Sequence, residues 1–346
     1  NLYKEIKMPT HEPLILEYRN EVIDNVHMGY VCIVDENSKV LFHIGDPSEY
    51  VYYRSASKPI QALPVIMRDL DKKYGITEEE SVIFSASHSG EPFHIAILES
   101  IFAKAGLKEE MLIMKPTYPG YFPAKLELLK KDLPPRKFYH NCAGKHAGAM
   151  LLQRELGGKV EDYWRPDSPA QKEIKRAVMA LSETNEDNTK VGIDGCGVPV
   201  FAVGIKNIAA GYKNLACINT IQDEKLREAA ARYLPRINRY PHMIRGTGYL
   251  CSLMNRDSNL ISKDGAAGVY GCGMRKERLG ISFKMSSGED TVWPLILKSI
   301  FTQIGGQDPQ TLEMLDKLRP DSVFNDNDLV VGHYESLICL DRKPIR

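Results

Sequence analysis

Four residues, Ser55-Ala-Ser-Lys58, have the makings of an activated nucleophile. In a Ser-x-x-Lys spacing on a helix, the hydroxyl and the amine share one face, where a neutral Lys accepts the Ser proton. An extended run, Tyr50-Val-Tyr-Tyr53, leads into the motif, and Pro59 is tolerated in a first helical turn. Ser55 is therefore expected at the positive end of a helix dipole, a position that favours an alkoxide-like oxygen and a neutral Lys58. The plainer alternative is a capping Ser followed by a surface Lys.

Ser87-His-Ser-Gly-Glu-Pro92 places three hydrogen-bonding side chains in a turn ahead of a helix. It reads either as capping, with Ser89 or Glu91 satisfying free amides, or as a proton shuttle or second nucleophile at Ser87. Lys284 follows the alternating apolar residues Leu279, Ile281 and Phe283 and precedes Gly288. Enzymes of the penicillin-binding type set a strand-borne Lys-x-Gly opposite the nucleophile. Here Ser-His-Ser stands where Ser-Asp-Asn would be and Lys-Met-Ser-Ser-Gly where Lys-Thr-Gly would be, which argues against a β-lactam substrate.

Asn141-Cys-Ala-Gly-Lys-His-Ala-Gly148 and Gly192-Ile-Asp-Gly-Cys-Gly-Val-Pro199 are glycine-dense, so the backbone can approach a ligand there or simply make a tight turn. Two thiols with a nearby amine and imidazole could hold Zn²⁺. As a ligand Lys145 would have to be neutral, and a salt bridge is its ordinary use.

These groups need a scaffold, and 346 residues at 43% hydrophobic and 26% charged suffice for one large core. Lys plus Arg and Asp plus Glu each total 45, so the charge balance favours neither nucleic acid nor an anionic membrane and points to a small-molecule substrate. The first residues, Asn1-Leu-Tyr-Lys-Glu-Ile-Lys7, hold no apolar core segment, and uncharged stretches such as Cys196 to Ile205 are too short to span a bilayer. Seven scattered cysteines in a long chain do not make a disulfide framework. The expectation is a soluble, cytoplasmic protein.

Periodicity predicts a β-hairpin over Met28–Gly45, then mainly helical character from Pro59 to about Leu234. Helices are expected at Pro59–Leu70, Glu79–Ser85, Phe93–Ala105, His146–Leu156, Ala170–Leu181 and Glu224–Tyr233. Strands return at Val269-Tyr270, Leu279–Met285 and Leu329–Leu340 around an apolar helix at Val292–Ile304. The implied architecture is α/β (α+β): an antiparallel sheet formed from both chain ends, about 10–60 and 240–346, with a helical lobe over about 60–240 and a cleft between them.

Taken together, Arg54-Ser-Ala-Ser-Lys-Pro-Ile-Gln-Ala-Leu-Pro64, Ser87–Pro92, Asn141–His146, Gly192–Pro199 and the Leu279–Gly288 strand resemble the Rhizobium etli type L-asparaginase family, in order over most of the chain. The resemblance implies a single domain with a fold similar to serine β-lactamases, penicillin-binding proteins and serine-dependent glutaminases. It further implies a homodimer that hydrolyses L-asparagine to L-aspartate and ammonia. It gives two Ser-Lys tandems, Ser55 with Lys58 and Ser87 with Lys284, and a zinc site at Cys142, Lys145 and Cys196 with Asp194 beside it. Arg54 and His146 adjoin these groups as candidates, with Asp194, to bind substrate.

Overall fold

The computed structural model describes residues 9–341. The opening heptad Asn1–Lys7, read above for its lack of an apolar segment, lies outside them. Eleven strands are present among the described residues. They are β1 (Glu12–Arg19), β2 (Val22–Val34), β3 (Val40–Ile44), β4 (Tyr50–Tyr52), β5 (Lys190–Ile193), β6 (Pro199–Gly204), β7 (Leu260–Gly265), β8 (Val269–Met274), β9 (Leu279–Met285), β10 (Ser322–Phe324) and β11 (Val330–Ser336).

Eight of them form one antiparallel sheet in the order β10-β11-β1-β2-β9-β8-β7, with β3 also paired to β2. Both chain ends thus contribute to one sheet, as the periodicity implied. The β2–β3 pair is the expected hairpin, with Val31 opposite Ile44. At the centre, β2 and β9 run side by side with Tyr30 opposite Lys284.

The middle of the chain is less uniformly helical than expected. Its helices include Pro92–Ala105, Ala143–Glu155, Pro169–Leu181 and Glu224–Arg239. However, β5 and β6 lie inside that span and join β4, which precedes it, in a second, three-stranded sheet, a pairing that such short runs do not reveal locally. The expected helix Pro59–Leu70 is broken into Lys58–Gln61 and Leu63–Met67, with Pro64 in the first turn of the second piece. Proline has no N–H to continue the earlier ladder.

The helix Ile205–Ala216 lies outside the expected set, although Ile205, Ile208, Ala209, Tyr212 and Leu215 recur at helical spacing, and it is buried on nearly every side. It lies against the large sheet, where a Cβ on Gly280 would stand 2.0 Å from the Ala209 carbonyl oxygen. Tyr53, which precedes the Ser-x-x-Lys turn, bonds this helix through Asn207 O at 3.2 Å and the helical layer beyond it through Ser182 Oγ at 2.8 Å. The helix is therefore the wedge between sheet and helical layer. Gly280→Ala should force the two apart at a cost of about 1–3 kcal/mol, read as a lower urea midpoint with unchanged slope; an unshifted midpoint would mean that the helix does not pack there.

Candidate active site

Ser55 sits in a 3₁₀ turn, Arg54–Ser57, that β4 delivers to the end of β7. Tyr212 of the central helix donates to the Ala56 carbonyl at 2.6 Å, and Gly265 at the end of β7 lets the turn come close. A Cβ there would stand 2.7 Å from Tyr53 O. Arg54 has φ +49°, a left-handed conformation that costs a non-glycine residue free energy and persists only where surroundings hold it. The helix beyond spans only four residues, so the dipole expected to serve Ser55 is weak.

Ser55 and Ser87 line one cavity of about 130 Å³ together with Asn141, Arg245, the Asp264–Gly268 segment and the loop residues Gly288 and Asp290. Ser55 is half-buried, and its hydroxyl makes no hydrogen bond to the described residues, which leaves it open to a ligand. Ser87 is buried and tied in place. Its N–H donates to Ile244 O at 2.9 Å, and its carbonyl accepts from Arg245 Nη1 at 3.0 Å. The neighbouring residues do not cap the following helix as the sequence allowed. Instead the Glu91 carboxylate accepts from Thr247 N at 2.7 Å, Thr247 Oγ1 at 2.9 Å and Ser89 Oγ at 3.1 Å, which fastens this turn to residues 244–247.

Lys58 is fully buried, and its amine lies 2.9 Å from Ser87 Oγ and 2.8 Å from Ala86 O. Its pKa is pushed down to about 8, first by burial and then by the charges of Lys145 and Lys263, against the opposing pull of Cys142 and Cys196. Desolvation thus does what the helix dipole was expected to do. The recorded contact pairs Lys58 with Ser87.

Lys284, expected to partner Ser87, does not bond it. Its amine donates to the Met285 carbonyl, and its pKa is lowered by burial and by Arg54. The lysine that does enter the cluster is Lys263, fully buried on β7 and bonded to the carbonyl of Asp264 at 2.9 Å and to its carboxylate. Burial would raise the Asp264 carboxyl, but Lys263 and Arg245 hold it well below its ordinary range. The sequence did carry a signal: Lys263-Asp264-Gly265 is a literal Lys-x-Gly at a strand end, whereas Lys284 is four residues from its glycine. Arg245 and Tyr212 had no such marker, since each acts through a backbone carbonyl far away in sequence.

Cys142 and Cys196 come together, both buried, and Lys145 Nζ lies 3.2 Å from Cys196 Sγ. The Cys142 thiol is held well below its ordinary value, first by the hydrogen bond from Cys196 and also by Lys58 and Lys145, while Cys196 is driven up as the partner that keeps its hydrogen. Burial works against the Lys145 ammonium, but Cys196, Cys142 and Asp194 outweigh it. Among the described residues no three His, Cys, Asp or Glu side chains converge on one point, so a metal here needs Lys145 as a donor. Two thiols and an amine at this separation are a soft donor set that fits Zn²⁺ once the protons leave.

Asp194 accepts from Arg54 Nε at 2.9 Å and from Gly195 N at 2.8 Å, so the Arg54–Asp194 ion pair joins the turn carrying Ser55 to the Cys196 loop. His146 faces inward. It is fully buried, its Nδ1 is hydrogen-bonded to Tyr163 OH at 2.7 Å, and burial followed by Lys145 drives its pKa far below the ordinary value. A neutral imidazole in that position is suited to holding the helix Ala143–Glu155 rather than reading a carboxylate.

No curated protein sequence matches the chain. Solved structures that resemble it include a β-lactamase from Mycobacterium bovis (TM-score 0.41, 13% identity, 80% of this chain and 94% of that one). A class C β-lactamase from Rhodobacter sphaeroides (0.42, 12%, 80% and 95%) and a Bacillus glutaminase (0.38, 13%, 80% and 90%) are also similar. At these scores the likeness carries no functional weight. The model of the family described as L-asparaginase II matches residues 15–336, and the chain belongs to that family.

Proposed function

We propose that the protein hydrolyses the side-chain amide of L-asparagine, giving L-aspartate and ammonia, by acyl transfer through Ser55. The observation that carries this reading is the Lys58 amine, stripped of water, lowered to about 8 and 2.9 Å from Ser87 Oγ at the edge of the cavity that also receives Ser55. Membership of the L-asparaginase II family supports an amidohydrolase.

In this scheme neutral Lys58 takes the Ser87 proton as Ser87 takes that of Ser55, and Ser55 Oγ bonds to the amide carbon. The C–N bond then breaks as the proton returns through Ser87 to the leaving ammonia. Water next adds to the ester with Lys58 again as base, the acid is released and Ser55 recovers its proton. Lys263 stays paired to Asp264, and its charge disfavours a second ammonium at Lys58. Arg54 and Asp194, an ion pair beside the nucleophile turn, offer complementary charges to an amino-acid zwitterion.

Cys142, Lys145 and Cys196 would hold Zn²⁺, which supplies a fixed positive charge for orienting an oxygen ligand. The proposal includes a homodimer, for which the exposed Phe122, Leu129 and Leu133 offer apolar surface. It also places the enzyme in the cytoplasm, where its seven free thiols suit a reducing compartment. Among the described residues no helix is long and apolar enough to cross a membrane.

Ammonia release from L-asparagine should fall at least about 10³-fold in Ser55→Ala; retained turnover would overturn the acyl-enzyme scheme, and release from neither asparagine nor glutamine by the unaltered protein would sink the amidohydrolase. Because the working form of Lys58 is the neutral amine, kcat should rise with pH up to and through about 8 and then level off. Lys58→Arg should abolish that limb together with most of the rate. The purified protein should carry about one zinc per chain by elemental analysis, and Cys142→Ser and Cys196→Ser should each lose it; unchanged metal content in both would exclude this set as the ligands.

A further inference from the structure

One wall of the cavity is the loop Ser286–Asp290 that follows β9, of which Gly288 and Asp290 face the cavity. The loop is held from behind in two places. Ser286 donates to the Met28 carbonyl from both its N–H (2.9 Å) and its hydroxyl (3.0 Å). Glu289 accepts a hydrogen bond at 2.8 Å from Nδ1 of His27, a β2 side chain only 4% exposed.

Two further side chains flank His27. Glu17 on β1 lies 3.4 Å from its Nε2, close enough for attraction but without hydrogen-bond geometry. Tyr334 on β11 stands 6.4 Å away, centroid to centroid, and is itself bonded by Arg319. Burial would raise the Glu289 carboxyl, yet the hydrogen bond and charge of His27, with Ser287 and Thr291, hold it below its ordinary range. The carboxylate can only accept, so Nδ1 carries the hydrogen. A buried imidazole gripping a carboxylate one residue from a cavity-lining side chain is a strong contact for a short loop to have.

We propose that His27 is a positioning residue, which through Glu289 fixes the Ser286–Asp290 loop as a wall of the substrate cavity and so sets substrate affinity rather than the chemical step. The proposal rests on the amidohydrolase reading for its kinetic consequence, but not for the latch itself. The side-chain polar contacts of His27 among the described residues are to Glu289 and Glu17, neither of them a reacting group, and Glu289 is not among the residues that line the cavity. Loss of the latch frees a wall while leaving the proton path intact.

The test combines steady-state kinetics with hydrogen exchange. His27→Ala and Glu289→Ala should each raise KM for L-asparagine about five- to twentyfold with kcat within about twofold, and the double variant should be no worse than either single one. His27→Asn, whose amide N–H sits near the position of Nδ1, should restore KM to within about threefold. Amide exchange in 286–291 should quicken about tenfold or more in both alanine variants while the helix Pro92–Ala105 is unaffected. Unchanged KM and exchange, or a fall in kcat at constant KM, would overturn the proposal. If His27→Ala does not fold, Glu289→Ala carries the same test from the more exposed end of the bond. If the unaltered protein hydrolyses no amide, the functional reading fails and exchange alone decides the latch.

Discussion

Burial of one amine governs this structure. Lys58 has lost its water entirely, and lowering its pKa from 10.5 to about 8 corresponds to about 3 kcal/mol against the charged form. Three lysines, Lys58, Lys145 and Lys263, are buried near one another, yet their anions are unequally shared. Lys263 has the Asp264 carboxylate, and Lys145 has the two thiols and Asp194. Among the described residues Lys58 has only a carbonyl and a hydroxyl within hydrogen-bond reach of its amine. The amine without a carboxylate is the one left able to work as a base near neutral pH.

Holding that arrangement requires elements from across the chain to meet in a dry space. The turn carrying Ser55 is pressed between Tyr212 and the end of β7, and the turn carrying Ser87 is stitched to residues 244–247 through Glu91 and Arg245. Each fastening uses backbone groups that would otherwise be buried without partners. The strain at Arg54 fits this pattern, since its left-handed backbone is held at one end by Tyr53 N–H on Phe201 O (2.9 Å) and at the side chain by Asp194.

The same logic separates the two cysteine environments. Cys32, Cys251 and Cys272 are buried thiols whose pKa is raised chiefly by burial, as befits small hydrophobes on or beside strands. Cys142 departs from them because Cys196 and two ammonium groups surround it. A buried thiol is made reactive toward a metal by its charged neighbours, and those neighbours arrive through the fold.

By itself the sequence determined the elements with strong local patterns and the chemical types at the site. The β2–β3 hairpin, β9 and the helices at Pro92–Ala105 and Pro169–Leu181 follow from alternation, 3.6-residue periodicity and proline at the helix start. Ser55, Lys58, Ser87, Cys142, Lys145 and Cys196 were legible because short motifs mark them, and the structure gathers all six. Only the tertiary structure decided which lysine enters the cluster, because Lys263 and Lys284 both lie near the C-terminal ends of strands on one face of the sheet and differ in which strand carries them, β7 or β9 with β8 between. It also decided the pairing of Lys58 with Ser87, the three-stranded sheet and the role of the helix Ile205–Ala216, whose apolar spacing marks a helix but not the two layers it separates. Local pattern reports how one segment meets water, whereas a proton's position in a buried cluster depends on charges brought together from segments as distant in sequence as Lys58 and Lys263.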